Sequence, residues 1–591
     1  MKLLLEKEWK KRGRHPGFEN LLHIYLPNDF NDTNRPVKIA IQYIMDTFCS
    51  IDDFVDKKPR SPDDNEILKT VFSKIYEQWD TFIFLSQFDF SINQFENVRQ
   101  LTESVGLQEM KRNPYLIFEK YNFETKDDPK GNVDKSDYGI DVFQIDLALI
   151  PDLDYVNWPR LFKSDSPERL RALITEIMSE NAEKGNTFLT RGDLLEELKN
   201  YPLFYTFKEL EIGPVKLAKY EMQPMFREKF YIENREYQSG EVIYQILEYR
   251  KLENFIKKFF DVLLKKKHIV GKAEEELILQ LTQMSKQNSE ANAKQIERRS
   301  FFQKAFSNDF MVLSGKAGSG KTTAVANLIK KFLEIPKTPI FIFTPTGRSN
   351  LVIRDRIQKE INDVDQKKLT ISTIHRFLFS HLLEELTSYR DRNGANYSTY
   401  KTLKGQISQT QSLFWDFLDG DVSAFEELLK ITSDLRFKPK VVIVDESSMI
   451  DERLLGALLL MLDPEAIEHF ILVGDEKQLP PIGPGRPFAD IIAHLKRTNL
   501  EENYVRLMSN HRFNENAVIG QVSSLLEDDD TDPVTMAEMM LQGDESLDIR
   551  FFEDDISLKD TIRNIVNSVS GETSSDLSST LANLFECGEN I

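Results

Sequence analysis

The stretch LSGKAGSGKTT, residues 313–323, carries the spacing G-x-x-x-x-G-K-T. Gly315, Gly318 and Gly320 let the backbone curl so that its N–H groups point inward at phosphate oxygens. Lys321 adds a point charge, and the hydroxyl of Thr322 can ligate Mg²⁺. Ser319 and Thr323, inside the loop and just after it, are counted with the nucleotide-binding residues. A second acidic constellation lies at VVIVDESS, where Asp445 and Glu446 follow an apolar run. In a phosphate-loop enzyme an aspartate at that place holds Mg²⁺ with the loop threonine, and a neighbouring acid orients and deprotonates the attacking water. A purely structural reading would have the two acids cap the next helix. A third motif, LVGDEKQLPPIGPG, sets Asp475 and Gln478 beyond another apolar run; an amide there can donate to a terminal phosphate and accept from water.

These motifs need elements that hold them side by side. The apolar run Phe310 to Leu313 predicts a buried strand, and Thr322 to Phe332 predicts a helix whose N-terminus faces the anion. A glycine-rich connector matching by chance would lack that strand–loop–helix context. Further strands are predicted at PIFIFTP (339–345), KVVIVDE (440–446) and HFILVGD (469–475), with helical patterns between them. Continuous Val/Ile runs separated by helices predict a parallel sheet covered on both faces, with ligands at the carboxyl ends of its strands. The expected fold class is α/β.

The ordered set GKAGSGKT, TPTGR (344–348), STIHRFL (372–378), VDESSM (444–449), GDEKQLPPIGPGRPF (474–488) and NHRF (510–513) resembles the RecD-like branch of superfamily 1 DNA helicases. The resemblance covers about residues 290–560. It extends more weakly to NPYLIF and GNTFLTRGDLL, which look like the helical N-terminal region of the longer RecD-like enzymes. It implies a P-loop, RecA-like motor lobe with a largely helical N-terminal region and an incomplete second RecA-like lobe. It further implies ATP-driven translocation on single-stranded DNA in the 5′ to 3′ direction, in repair, recombination or antiviral defence. Carried over residue by residue, Lys321 and Thr322 serve phosphate and Mg²⁺, Asp445 and Glu446 serve metal and water, and Gln478 senses the γ-phosphate. Arg512 would be an arginine finger from the second lobe, and Gln295, in NAKQIERR, matches the family's adenine-recognising glutamine. The family also touches DNA with its TPTGR and TIHR segments. Thr344, Thr346 and Thr373 hydroxyls can bind phosphates there, while Arg348, His375 and Arg376 add charge or a stacking surface. Against these stand plainer readings: a histidine bracing the following helix for His375, and a salt bridge at a helix N-terminus for Arg348.

The expected organisation is an N-terminal, mostly helical part (1–105), the helical RecD-like N-terminal region (106–235), a charged helical connector (236–290), the first motor lobe (291–500) and the start of a second lobe with an acidic tail (501–591). The connector includes KLENFIKKFFDVLLKKKH (251–268), a basic amphipathic helix; a solvated lysine face over a packed Phe/Leu stripe is favoured over a nucleic-acid contact. Net charge is -20, which looks hostile to nucleic acid, but residues 521–591 hold 17 acids against 3 bases. The rest is close to neutral and can hold a basic groove. No apolar run approaches the ~18 residues needed to span a bilayer, and MKLLLEKEWKKRGRH does not read as a signal peptide. The expectation is a cytoplasmic protein without a membrane partner. Cys49 and Cys587 stand too far apart in sequence for a disulfide framework or a cysteine-rich metal site.

Two other function classes were weighed: a nucleotide-controlled switch within a larger complex, and a small-molecule kinase, for which TPTGR, STIHRFL and Gln478 have no job. PDLD (151–154) has no acid-x-Lys partner, so no nuclease site is assigned. After NHRF, neither a T-x-H-x-x-Q-G-type motif nor a second arginine-bearing motif is found. The resemblance therefore implies a truncated or split motor, its remaining lobe supplied by another polypeptide, with a nuclease as a further expected partner. Such a chain alone would bind nucleotide and unwind DNA negligibly.

Overall fold

The computed structural model describes residues 13–25, 34–120, 139–150, 161–201 except 164, 212–235, 241–266, 276, 293–335 except 317, 338–360, 368–382 and 397–507. Among the described residues between Phe18 and Lys120 every regular element is a helix. Helix starts there follow local chemistry: the Ser50, Asn65 and Ser91 side chains each accept from backbone N–H groups of the turn they open. The core of this part is aromatic. Phe18, Phe54, Phe72 and Phe82 are buried and meet largely edge to face, at centroid distances such as 5.5 Å for Phe18–Phe54 and Phe54–Phe72.

The next region mixes helix and strand. Helix α1 (Pro167–Glu183) starts with Ser166 accepting from the Arg169 N–H and Pro167 in the first turn. Helix α2 (Arg191–Asn200) starts with Thr190 accepting from the Asp193 N–H. Around them lies an antiparallel three-stranded sheet in the order β1 (Phe188–Thr190), β3 (Glu241–Ile246), β2 (Phe230–Arg235). The helical expectation for 106–235 missed it, because β1 has three residues and none of these strands shows a long alternating run.

Helix α3 (Leu247–Lys265) lies within the expected connector, and its Phe/Leu stripe packs as the favoured reading had it. Its stripe of Leu252, Ile256, Phe259, Phe260 and Leu263 is buried, with Phe260 at 4.8 Å from the Phe310 ring and Phe259 at 5.9 Å from the Phe470 ring. The basic amphipathic pattern thus packs as a sheet-covering helix, and Lys266 ends it by donating to the carbonyls of Pro464, Glu465 and Ile467.

The larger sheet has six parallel strands in the order β6-β5-β7-β8-β4-β9: β4 (Phe310–Gly315), β5 (Ile340–Thr344), β6 (Leu369–Thr373), β7 (Val441–Val444), β8 (His469–Gly474) and β9 (Tyr504–Leu507). Strand alternation sorts its side chains onto two faces. Met311, Leu313, Val441, Ile443, Ile471 and Val473 meet helices α4 (Ala293–Ser307), α5 (Lys321–Glu334) and α6 (Gly347–Glu360). Phe310, Val312, Val442, Val444, Phe470 and Leu472 share the opposite core with α3, α7 (Tyr397–Asp419), α8 (Glu452–Leu460) and α9 (Pro487–Arg497). This is a RecA-like P-loop lobe with a largely helical region before it. The four expected strands are present; β6 and β9 are additional, and β9 carries the sheet past the expected boundary at residue 500. Among the described residues no helix is long and apolar enough to cross a membrane.

Candidate nucleotide site and nucleic-acid interface

All three chemical motifs end at the same edge of the sheet, because β4, β7 and β8 run parallel and adjacent in the order β7-β8-β4. The phosphate loop leaves β4 and enters α5 through Gly318 and Gly320, whose φ angles of 83° and 84° favour glycine. The Ser319 side chain is buried, and its Oγ has no hydrogen-bond partner among the described residues. Lys321 bends back: its Nζ donates to the carbonyls of Gly315 and, at 3.1 Å, Lys316. Burial lowers the Lys321 pKa, while Asp475, Glu446 and Asp445 pull it upward. The lysine and the three acids therefore share one cleft.

Asp445 follows β7 and is anchored by its N–H, which donates to the Phe343 carbonyl at 2.9 Å. Burial, then the neighbouring Glu446 charge, push its pKa up to about 7. Glu446 sits at φ 54°, a left-handed conformation unusual for a residue with a side chain. Beyond β8, Asp475 is buried and accepts from the Lys477 N–H, and Gln478 is exposed with its Oε1 accepting from Ser448 Oγ at 3.4 Å. Ser448 thus links the second motif to the third.

The cleft suits a magnesium-bound nucleotide. Among the described residues no cluster of three or more His, Cys, Asp or Glu could hold a metal by itself. That fits Mg²⁺, which keeps waters and phosphate oxygens and takes one or two protein ligands. Thr322 and Asp445 are the candidates, and a buried carboxyl poised near 7 is a group that a cation would ionise. Thr323 points elsewhere: its Oγ1 accepts from Arg356 Nη2 at 2.9 Å and ties α5 to α6.

The expected DNA-contacting residues divide by burial. Thr344 is fully buried and donates to the Thr346 carbonyl, so as it stands it offers no surface to a strand. Thr346 Oγ1 accepts from the Ser349 N–H and opens α6, and Thr373 Oγ1 accepts from the Arg376 N–H to open the helix 374–382. These threonines brace loops. Arg348 and Arg376 are exposed, and no ion pair binds Arg348 among the described residues; the salt bridge considered for it does not form there. His375 is half-buried, with burial lowering its pKa against the pull of Asp451. Gln295 lies on α4, which packs beside β4 and β9. Arg512 and the expected second lobe beyond residue 507 lie outside the described residues, as does PDLD.

Sequence reasoning did not single out Ser448, Arg356 or Glu476. Glu476 accepts from Tyr504 Oη at 3.1 Å and pairs with Lys496 at 3.3 Å, fastening the sensor segment to β9 and α9. No local pattern marks such contacts.

A family model described as an AAA domain matches residues 298–484, the sheet from before β4 to beyond β8. The chain is 27% identical over 242 residues to the RecBCD enzyme subunit RecD of Mycolicibacterium smegmatis, covering 40% of this chain and 36% of that protein. The matched segment is similar to RecD subunits. The same subunit of Haemophilus influenzae is 24% identical over 207 residues, covering 35% of this chain and 27% of that one. An uncharacterised protein of Methanocaldococcus jannaschii is 26% identical over 460 residues, covering 73% of this chain and 34% of that protein. The chain thus spans about a third of the length of these curated relatives. A solved Pif1 helicase structure from Candida albicans matches with a TM-score of 0.23 at 14% identity, over 52% of this chain and 56% of that one, too slight to bear on the fold.

Proposed function

We propose that the chain hydrolyses ATP to drive movement along single-stranded DNA, 5′ to 3′, in the cytoplasm and in the service of DNA repair, recombination or defence. The observation that carries this reading is the convergence of Lys321, Asp445, Glu446 and Asp475 in one cleft beside exposed Arg348 and Arg376. In it, the loop amides and Lys321 hold the phosphates, Lys321 leaving the loop carbonyls as the anion arrives. Thr322 and Asp445 would hold Mg²⁺, which when bound offsets phosphate charge. Glu446 orients the attacking water and takes its proton, its backbone already set in the turn that presents it. Gln478 contacts the terminal phosphate and Gln295 the adenine, while Arg512 supplies charge from outside the described cleft. Arg348, His375 and Arg376 contact the strand.

The test is ATP turnover with and without single-stranded DNA, together with translocation on a strand carrying a block at one end. Strong stimulation by DNA and displacement of a 3′-end block support the motor; turnover indifferent to DNA supports a switch instead.

A further inference from the structure

The segment that follows the sensor, Leu479 to Gly485, is stiffened by Pro480, Pro481 and Pro484. Its far end lies directly on two carboxylates at the start of α8. A Cβ on Gly483 would stand 1.8 Å from Asp451 Oδ2, and one on Gly485 would stand 2.4 Å from Glu452 Oε1. The backbone is held there from both sides: the Glu452 N–H donates to the Pro484 carbonyl at 2.9 Å, and the Gly485 N–H donates to the Gly185 carbonyl at 3.0 Å. Gly185 belongs to the turn between α1 and β1, so this short loop runs from the nucleotide sensor to the antiparallel-sheet region.

Glu452 is the buried group under that junction. It is 6% exposed, and its Oε2 has no hydrogen-bond partner among the described residues. The titratable and charged groups facing it are Glu253 and Tyr249 from α3, Asp490 from α9, and Asp451 on its own element, whose neighbour Arg453 pairs with Asp451. Glu253 is itself held by Gln245 of β3, and Thr187 Oγ1 donates to it at 3.3 Å. Desolvation and neighbouring acids disfavour the charged form of a carboxylate. Burial first, then Glu253, Asp490 and Asp451, raise the Glu452 pKa well above the ordinary range.

We propose that Glu452 is a positioning residue: its buried side chain seats the 479–485 loop behind Gln478 and ties that loop to the region carrying Gly185 and Glu253. The clamp then makes the sensor and the antiparallel-sheet region move as one piece. Ionising Glu452 adds negative charge beside Glu253, Asp490 and Asp451 and opens the seat.

The inference deepens the proposed ATPase reading and rests on it only for its turnover arm. Hydrogen exchange of the full chain, corrected for intrinsic exchange at each pH, reads the seat directly through the Glu452 and Gly485 amides. Raising pH should increase opening of peptides spanning 452 and 485 in the wild type, by about tenfold for each unit of pH above the Glu452 titration. E452Q, neutral at every pH, should stay closed throughout, and E253Q should move the wild-type midpoint to lower pH by removing a like charge. In turnover, E452A should lower kcat with KM for ATP unchanged, and E452Q should restore it. Equal pH dependence in wild type and E452Q, or an unmoved midpoint in E253Q, overturns the clamp. A wild-type chain that hydrolyses no ATP overturns the functional reading while the exchange result still decides the clamp.

Discussion

The nucleotide cleft and the junction of α1 with its neighbours both bury charge, and they do it in opposite ways. Arg169 is fully buried, yet its guanidinium donates to both carboxylate oxygens of Asp146, at 2.9 and 2.8 Å from Nε, and Tyr115 Oη donates to the same carboxylate. Arg171 is likewise paired with Glu119 and the Met225 carbonyl, and Arg191 with Glu221, which also accepts from Tyr244. Those networks are closed. In the cleft, Lys321 folds onto loop carbonyls, Ser319 Oγ has no hydrogen-bond partner among the described residues, Glu446 holds a left-handed backbone and Asp445 keeps its proton to about pH 7. A closed network is a complete structure; an open one is completed by a ligand.

The largest effect expected is on the closed side. Arg169→Ala leaves Asp146 and Tyr115 buried without their cation, and should destabilise the fold by about 3–5 kcal/mol, measured by denaturant titration. A loss below about 1 kcal/mol would mean that the triad behaves like a surface pair, and the contrast with the cleft would collapse.

On the open side stability should move little while chemistry moves far. Glu446→Gln should still bind ATP and turn it over at least about 10²-fold more slowly, and Lys321→Ala should weaken binding or turnover on the same scale. Near-normal ATPase in Glu446→Gln would remove it from water activation.

Asp445 gives a smaller, pH-dependent test. With a folded-state pKa of about 7 against an ordinary 3.8, it binds more protons when folded between those values. Its contribution is therefore fully present below about pH 4, falls as pH rises towards 7, and is flat above, at about 1.4 kcal/mol per unit at most. Asp445→Asn should abolish that decline in the ligand-free protein, seen in denaturation midpoints between pH 4 and 7. In the wild type, magnesium-dependent ATP binding should strengthen over the same interval as the carboxylate ionises.

The smallest effect expected is at the DNA loops. Arg348→Ala with His375→Ala should weaken single-stranded DNA binding while ATP binding stays intact. Because burial keeps His375 neutral near pH 7, only Arg348 contributes counterion release, and the salt slope should fall by about 1. Unchanged affinity would make both residues loop braces, like Thr344 and Thr346.

Much of the cleft was legible in the sequence because its parts are local. A phosphate loop needs glycines at set spacing, and buried parallel strands need unbroken Val/Ile runs, so β4, β5, β7 and β8 could be placed with the residues at their ends. The threonines of TPTGR and TIHR were legible as hydroxyls but not as braces, since capping depends on where the next helix begins. Strands β1, β6 and β9, of three to five residues, carry too little pattern to be seen alone.

By itself, then, the sequence determined the chemistry at the strand ends and the helix starts at Ser166, Thr190 and Asp451, because each rests on a few adjacent residues and the hydrogen bonds their side chains reach. Only the tertiary structure decided which buried charges would find partners. Tyr115, Asp146 and Arg169 meet across 31 and 23 residues, β9 joins β4 from the far end of the lobe, and Gly483 and Gly485 come to rest on Asp451 and Glu452. Burial sets the pKa of Asp445 and Glu452, and burial is a property of everything packed around a group, which no short stretch of chain contains.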